Sequence, residues 1–118
     1  MRLLRGEVYF VDLDPIQGHE QGGRRPVVVV SRDALNSLPL VVLVVPGTTR
    51  VRSPIPPVAN VFVPAGEGGL RYDTLFMPLH TRALDHHRFT EPPIGRLSPA
   101  TLEKIESAFT WTLNIKMP

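Results

Sequence analysis

The stretch GGRRPVVVVS, residues 22–31, sets four consecutive valines directly behind a glycine pair and two arginines. A short run of β-branched residues bounded by turn-forming residues is typical of a strand that is buried on both faces. We therefore predict such a strand over residues 26–31. A second apolar run over residues 40–45 predicts another strand, which we expect to end at Pro46 and Gly47.

Shorter predicted elements surround these two strands. A strand over residues 7–13 is expected to end before Pro15, and a polar loop with three glycines then fills residues 16–25. Further along the chain, the pattern predicts a helical turn within residues 32–37, strands over 58–64 and 72–79, and a short strand over 83–85.

The C-terminal part has the pattern of one amphipathic helix. Ser98 is a good N-cap, and Pro99 suits the first helical position. Apolar residues then recur near the helical period, at Leu102, Ile105, Phe109 and Leu113. Together these elements predict a mainly β fold in a single domain over residues 1–118. We expect an SH3-like small barrel of about five to seven strands with a C-terminal amphipathic helix, and a compact sandwich is the alternative.

The amino-acid composition argues against several classes of fold and function. Of 118 residues 13 are proline, about twice the ordinary share, which argues against a helical bundle. The absence of cysteine excludes a disulfide framework and a thiolate zinc site. The longest apolar run is far too short for a membrane helix, so we expect a cytoplasmic protein with no membrane partner. Arginine outnumbers lysine 11 to 2, which favours an oxyanion such as phosphate as ligand.

Two segments are candidates for chemistry. Arg24 and Arg25 stand at the mouth of the first valine strand, and the segment PGTTR, residues 46–50, follows the second. Taken alone, each segment is more typical of a solvated loop or turn than of a functional site. If the two strands pair antiparallel, however, the start of one lies beside the end of the other. That topology predicts that Arg25 and Thr48 meet.

The other polar residues form no recognisable metal site. The four histidines, at positions 19, 80, 86 and 87, show neither an HxH nor an HxxxH spacing. Asp12 and Asp14 precede a proline, where a turn role is favoured over magnesium binding. We therefore predict no metal and no cofactor.

At this point the chain resembles a known family, the MazF/PemK toxin endoribonucleases. The specific part is residues 5–31, with RGEVY, DLDP and EQGGRRP leading into the valine run. Looser matches are PGTT over residues 46–49, TRALD over residues 81–85, GRLS over residues 95–98 and the closing helix. The similarity extends over nearly the whole chain.

The resemblance implies a homodimer that cleaves single-stranded RNA, mostly mRNA, at short motifs and without a metal. It also implies a cognate MazE-like antitoxin, which lays a disordered segment along the RNA groove. The family's catalytic arginine falls on Arg25 and its catalytic threonine on Thr48. The loop over residues 16–24 is then expected to close over the substrate.

A wider set of residues is assigned to RNA binding on the same basis. The set is His19, Glu20, Gln21, Gly22, Arg24, Thr49, Arg50, Arg52, Thr74, His80 and Arg82. The identity of the general base stays open among Glu20, His19 and His80. A guanidinium stays protonated in protein sites, which disfavours Arg25 as a base and leaves it as a candidate acid.

Two other function classes are compatible with this fold. One is a CcdB-like toxin that inhibits DNA gyrase through its C-terminal region, where Trp111 lies. The other is an inactive barrel that only binds RNA or an antitoxin. The arginine-rich segment before the first valine strand counts against the gyrase inhibitor, which has no need of it.

Overall fold

A computed structural model describes residues 2–14, 17–20 and 22–116 of the chain. Within these described residues, seven strands and two α-helices follow one another, joined by four short 3₁₀ turns. The elements are β1 Glu7–Asp12, β2 Arg24–Val29, α1 Asp33–Asn36, β3 Val41–Thr48, β4 Val61–Val63, β5 Thr74–Phe76, β6 Arg82–Asp85, β7 Gly95–Arg96 and α2 Pro99–Thr112.

The strands form one antiparallel sheet in the order β4-β5-β3-β2-β1-β7, with β6 also paired to β3. Strand β3 is the centre of this sheet. Its first half pairs with β6 and its last two residues pair with β5, while its other edge pairs with β2. The sheet therefore curls along β3 into a half-barrel, which confirms the predicted mainly β, SH3-like architecture with a C-terminal helix.

The second valine-rich strand does not end where the sequence predicts. Strand β3 continues through Pro46 and Gly47 to Thr48. The backbone of Pro46 faces the β5 side, where its carbonyl accepts the N–H of Met77 at 3.0 Å. Pairing with β6 has ended at Val44 and pairing with β5 begins at Gly47, so a proline without an N–H costs no ladder bond there.

Both faces of the sheet are covered by apolar side chains. Val8, Val28 and Val45 contribute to a core beneath α2, together with Ile105 of that helix. The alternate residues point to a second core on the opposite face, whose members include Tyr9, Val11, Val27, Val29 and Val44. The predicted burial of β2 on both faces is thus confirmed, and it holds the start of this strand in place.

Helix α2 begins as predicted. The Ser98 hydroxyl accepts the backbone N–H of Thr101 at 3.2 Å, and Pro99 occupies the first turn. Leu102 and Ile105 are buried against the sheet, but Leu113 lies past the helix end and is exposed. Among the described residues, no helix is long and apolar enough to cross a membrane.

Two predicted strands are shorter in the structure. The strand expected over residues 72–79 covers only Thr74–Phe76, because Pro78 begins a 3₁₀ turn that ends at His80. The strand expected over residues 58–64 covers Val61–Val63, after a 3₁₀ turn that starts at Pro57. The sequence pattern does not predict the two-residue strand β7.

One apolar surface is left open on the outside of β3. Val41 and Leu43 are 48% and 45% exposed, although their neighbours Val42 and Val44 are buried. Three further exposed leucines shortly precede this strand in the chain, Leu35, Leu38 and Leu40, and we call these five residues the outer apolar face. Large exposed apolar surfaces of this kind mark interaction sites.

Candidate active site

Arg25 and Thr48 meet at one end of the β2–β3 pair. In the pairing of β2 with β3, Val29 lies opposite Val44 and Val27 lies opposite Pro46. Continued by two residues towards the start of β2, the same register places Arg25 opposite Thr48. The Arg25 Nη1 donates a hydrogen bond to the Thr48 Oγ1 at 3.2 Å, across 23 positions of sequence. The predicted convergence of these two side chains is confirmed.

The Arg25 side chain is held at a second nitrogen as well. Its Nε donates to the carbonyl oxygen of Gly22 at 2.6 Å, and the residue is half-buried. These two bonds use two of the five N–H donors of a guanidinium. The fork is therefore held in one orientation while donors stay available for an oxyanion.

The hydroxyl of Thr48 is oriented by its neighbours. Its oxygen accepts from Arg25 Nη1 and from the backbone N–H of Arg50, at 3.2 and 3.1 Å. A hydroxyl has two acceptor lone pairs and one O–H donor. With both lone pairs engaged, the O–H of this nearly buried residue is available for donation to a third group.

Two cavities flank this pair, and both residues line both of them. The first cavity, of about 540 Å³, lies towards Phe10, Tyr72 and Ile94. The second, of about 560 Å³, lies towards His19, Arg52 and His80. A third of about 410 Å³ shares His80 with the second. They form a groove with Arg25 and Thr48 at its centre.

Most residues predicted to bind RNA line this groove. Arg24, Thr49 and Thr74 lie along the first cavity. His19, Arg50, Arg52 and His80 lie along the second, and Glu20 and Arg82 lie along the third with His80. Gly22 supports Arg25 through its carbonyl. Gln21 lies outside the described residues.

Several of these side chains already have partners in the protein. Arg24 forms an ion pair with Glu91, and its guanidinium carbon lies 5.6 Å from the centre of the Phe10 ring. Thr74 is almost fully buried and donates its hydroxyl to the Tyr72 carbonyl at 2.9 Å, which places it beneath the groove wall.

The base of the loop that follows β1 is held by two arginines. Arg88 Nη1 donates to the carbonyl oxygens of Asp12 and Asp14 at 2.9 and 2.8 Å. Arg82 Nη1 donates to the Leu13 carbonyl at 3.2 Å. Arg82 thus anchors the loop as well as lining the groove, and neither of these two anchoring contacts can be inferred from the sequence pattern.

His80 is the half-buried histidine of the groove. Burial lowers its pKa below the ordinary value of 6.5, because an imidazolium loses hydration there. The ring is therefore neutral near pH 7, as a proton acceptor must be.

Sequence reasoning missed several residues that line the first cavity. Phe10, Arg71, Tyr72 and Ile94 all contribute to its wall. Tyr72 is 69% exposed, and its adjacency to Arg71 after a glycine-rich turn is the only sequence signal that marks it.

Comparison with known proteins agrees with the geometry. Endoribonuclease EndoA of Bacillus subtilis is 32% identical over 113 residues, covering 96% of each chain. Endoribonuclease MazF9 of Mycobacterium tuberculosis is 34% identical over 116 residues, covering 94% of this chain and 96% of its own.

Solved structures show the same fold. MazF from Deinococcus radiodurans superposes with a TM-score of 0.81 at 25% identity, covering 98% of this chain and 99% of its own. A mycobacterial endoribonuclease in complex with its cognate antitoxin superposes at 0.78 and 27% identity, covering 98% of both chains.

The family assignment rests on nearly the whole sequence. A model described as "PemK-like, MazF-like toxin of type II toxin-antitoxin system" matches residues 4–113. This match does not favour the gyrase-inhibitor alternative, and Trp111, which suggested it, is a half-exposed residue of α2. The chain therefore belongs to the PemK-like, MazF-like toxins of type II toxin–antitoxin systems.

Proposed function

We propose that this protein is the toxin of a type II toxin–antitoxin system, a sequence-specific endoribonuclease that cleaves single-stranded mRNA without a metal. The observation that carries the proposal is the hydrogen bond between Arg25 and Thr48 at the centre of the groove. Family membership and the endoribonuclease names of the relatives support it.

The reaction is an internal transfer at phosphorus. The ribose 2′-OH gives up its proton and attacks the adjacent phosphorus, and the bond from phosphorus to the 5′ oxygen breaks. The leaving oxygen takes up a proton, so the products are a 2′,3′-cyclic phosphate and a 5′-OH. Hydrolysis of the cyclic ester gives a 3′-phosphate. DNA has no 2′-OH and is not a substrate.

Arg25 and Thr48 stabilise the charge that develops in this reaction. Negative charge grows on the non-bridging oxygens as the phosphorane forms. The free N–H groups of Arg25 and the available O–H of Thr48 are donors held in place before the substrate arrives. Donors fixed in this way lower the barrier because they need no reorganisation, and one such donor contributes about 10²–10³-fold.

The proton acceptor is assigned to the second cavity. His19 and His80 line it together with Arg25 and Thr48, and His80 is neutral near pH 7. Glu20 lies one cavity further away, and its carboxylate accepts the N–H of Gln17 at 2.7 Å. The protonated guanidinium of Arg25 serves as a donor and not as a base.

The proposal includes three statements about partners and location. A cognate MazE-like antitoxin binds along the groove, and the existence of a mycobacterial neighbour in complex with its cognate antitoxin supports such a partner. Two copies of the chain associate, and the outer apolar face offers a surface for that contact. The protein acts in the cytoplasm, where mRNA is found.

The central test uses purified protein, a long single-stranded RNA and EDTA. Wild-type protein should give discrete cuts whose fragments carry a cyclic phosphate or 3′-phosphate and a 5′-OH, and Arg25→Ala should not. Replacing the ribose at a mapped cut by 2′-deoxyribose should abolish that cut alone. Cuts that depend on added divalent metal would contradict the proposed chemistry.

The same preparations separate the alternatives. A folded wild-type protein that cuts none of several RNAs but inhibits supercoiling by gyrase would establish the CcdB-like function instead. A folded protein that does neither but binds RNA or antitoxin would be the inactive barrel.

A further inference from the structure

The first cavity has a wall that takes no part in the proposed RNA cleavage reaction. Beyond Arg25 and Thr48, it extends to Phe10, Arg71, Tyr72 and Ile94. This wall combines aromatic and aliphatic side chains with two arginines, Arg24 and Arg71. His80 does not line this cavity but the second one, which shares Arg25 and Thr48 with it.

The loop that presents Arg71 and Tyr72 is held in place by backbone contact. A Cβ on Gly69 would lie 1.9 Å from the carbonyl oxygen of Ile94, and Gly69 has a φ of +77°. A Cβ on Gly95 would lie 2.3 Å from the carbonyl carbon of Gly68. The two segments touch main chain to main chain, which only glycine allows here.

The end of this loop is also fixed. The Ala65 N–H donates to the Asp73 carboxylate at 2.9 Å, and the Thr74 hydroxyl donates to the Tyr72 carbonyl at 2.9 Å. The backbone of Tyr72 is thus anchored, yet its side chain is 69% exposed at the cavity. An exposed aromatic ring on an anchored backbone is a preorganised contact surface.

Phe10 forms another part of the lining of this cavity. This half-buried ring lies 5.6 Å from the Arg24 guanidinium, which Glu91 holds through an ion pair. A planar cation over an aromatic ring makes a flat surface with charge at its edge.

We propose that the first cavity is a nucleobase subsite, in which the Tyr72 ring stacks on the base of a nucleotide next to the scissile phosphate. This inference rests on the proposed function and adds a specificity residue to it. Unpaired bases bind proteins by stacking on aromatic rings and arginine planes, and this cavity offers both. Arg71 at the rim neutralises the phosphate of the same nucleotide.

The position of the subsite has a consequence for sequence preference. The scissile phosphate sits between the two cavities, so bases on its two sides enter different ones. The first cavity reads the base on one side of the cut, and the cavity with His80 reads the other side.

The test is to map cuts in a library of randomised single-stranded RNA, and to measure kcat/KM on one good substrate. The proteins compared are wild type, Tyr72→Ala, Tyr72→Phe, His80→Ala and Trp111→Ala. Trp111 is the matched control, because it is 53% exposed but lies on α2 and lines none of the three groove cavities.

Tyr72→Ala should lower kcat/KM about 5- to 150-fold, the loss expected for one stacked base. It should also weaken base preference on one side of the cut only. Tyr72→Phe should stay within about twofold because its ring still stacks. His80→Ala should alter preference on the other side among its remaining cuts, and its rate should also fall because His80 is a candidate proton acceptor. Trp111→Ala should match wild type.

Two results would overturn the subsite while leaving the ribonuclease intact. One is wild-type rate and base preference in Tyr72→Ala, and the other is an equal loss of preference on both sides of the cut. If wild type cuts no RNA, the proposed function fails, and affinity for a 2′-deoxy-substituted oligonucleotide decides the subsite. Equal affinities of wild type and Tyr72→Ala then overturn it too, and a selective loss in Tyr72→Ala supports it.

Discussion

Gly47 packs against Thr74 so closely that no larger residue fits between them. A Cβ on Gly47 would lie 2.7 Å from the Thr74 Cγ2 and 3.0 Å from the Phe76 Cε1. Gly47 directly precedes Thr48 in the chain. The close contact at Gly47 therefore helps to fix the backbone position of Thr48, and with it the position of the Thr48 hydroxyl.

Gly47→Ala should therefore damage both stability and activity. Overpacking of this kind costs about 1–3 kcal/mol in the free energy of unfolding. Denaturant unfolding measures that loss, and single-turnover RNA cleavage measures the displacement of Thr48. Adding Thr74→Ser removes the clashing methyl group, so the double variant should lose less stability than the two single changes together. Strict additivity would show that the contact is not the cause.

Arg25→Lys should be nearly as inactive as Arg25→Ala. Lysine keeps the charge but lacks the fork that bonds Gly22, Thr48 and a phosphate at once. We expect a fall of about 10²–10³-fold in the single-turnover cleavage rate. Arg32→Lys, at an exposed arginine before α1, is the matched control and should keep the wild-type rate. An active Arg25→Lys variant would mean that charge alone suffices.

Thr48→Val and Thr48→Ser separate the hydroxyl from the shape of the side chain. Valine removes the O–H and leaves two donors, Arg25 Nη1 and the Arg50 N–H, without their acceptor. Thr48→Val should lose about 10²–10³-fold in cleavage rate, the range for one donor. Thr48→Ser keeps the hydroxyl and should retain most of the activity. Equal activity of both variants would remove the hydroxyl from the mechanism.

His80 predicts a pH dependence of stability. Its pKa is lowered in the folded protein by burial, so unfolding favours protonation. The stability from neutral His80 is complete above pH 6.5 and is lost as the pH falls towards the lower folded value. The fall in Tm between about pH 7.5 and pH 5 should be smaller in His80→Gln. An identical fall in both proteins would contradict this.

Leu43→Lys should weaken association of the protein with itself. Leu43 is exposed on the outer apolar face, and a lysine there would place charge in the proposed contact. Sedimentation velocity over a range of concentrations should show a shift towards monomer. Phe62→Lys, at an equally exposed residue of β4, should leave association unchanged. Unaltered association of Leu43→Lys would place the contact elsewhere.

The sequence predicts those parts of the site that depend on short apolar runs and on the antiparallel pairing of strands that are neighbours in the chain. The valine run identifies β2, the next apolar run identifies β3, and antiparallel pairing of neighbours brings Arg25 to Thr48. Each of these three inferences depends on residues that are close in sequence or on two strands joined by one connection.

The parts that escape prediction depend on contacts between distant segments. Strand β3 passes through Pro46 only because its partner changes there, which a run of residues cannot reveal. The Tyr72 wall depends on the meeting of Gly69 with Ile94, two segments brought together by the sheet. The hydroxyl of Thr74 likewise turns to Tyr72 and not to the groove.

Because Arg25 and Thr48 border both large cavities, a small inhibitor need not fill the entire groove. A compound seated in the Tyr72 cavity alone would already contact both Arg25 and Thr48. Chemical selectivity between related toxins can then be sought at the Arg71–Tyr72 wall, while an anionic group anchors every such compound on the same guanidinium.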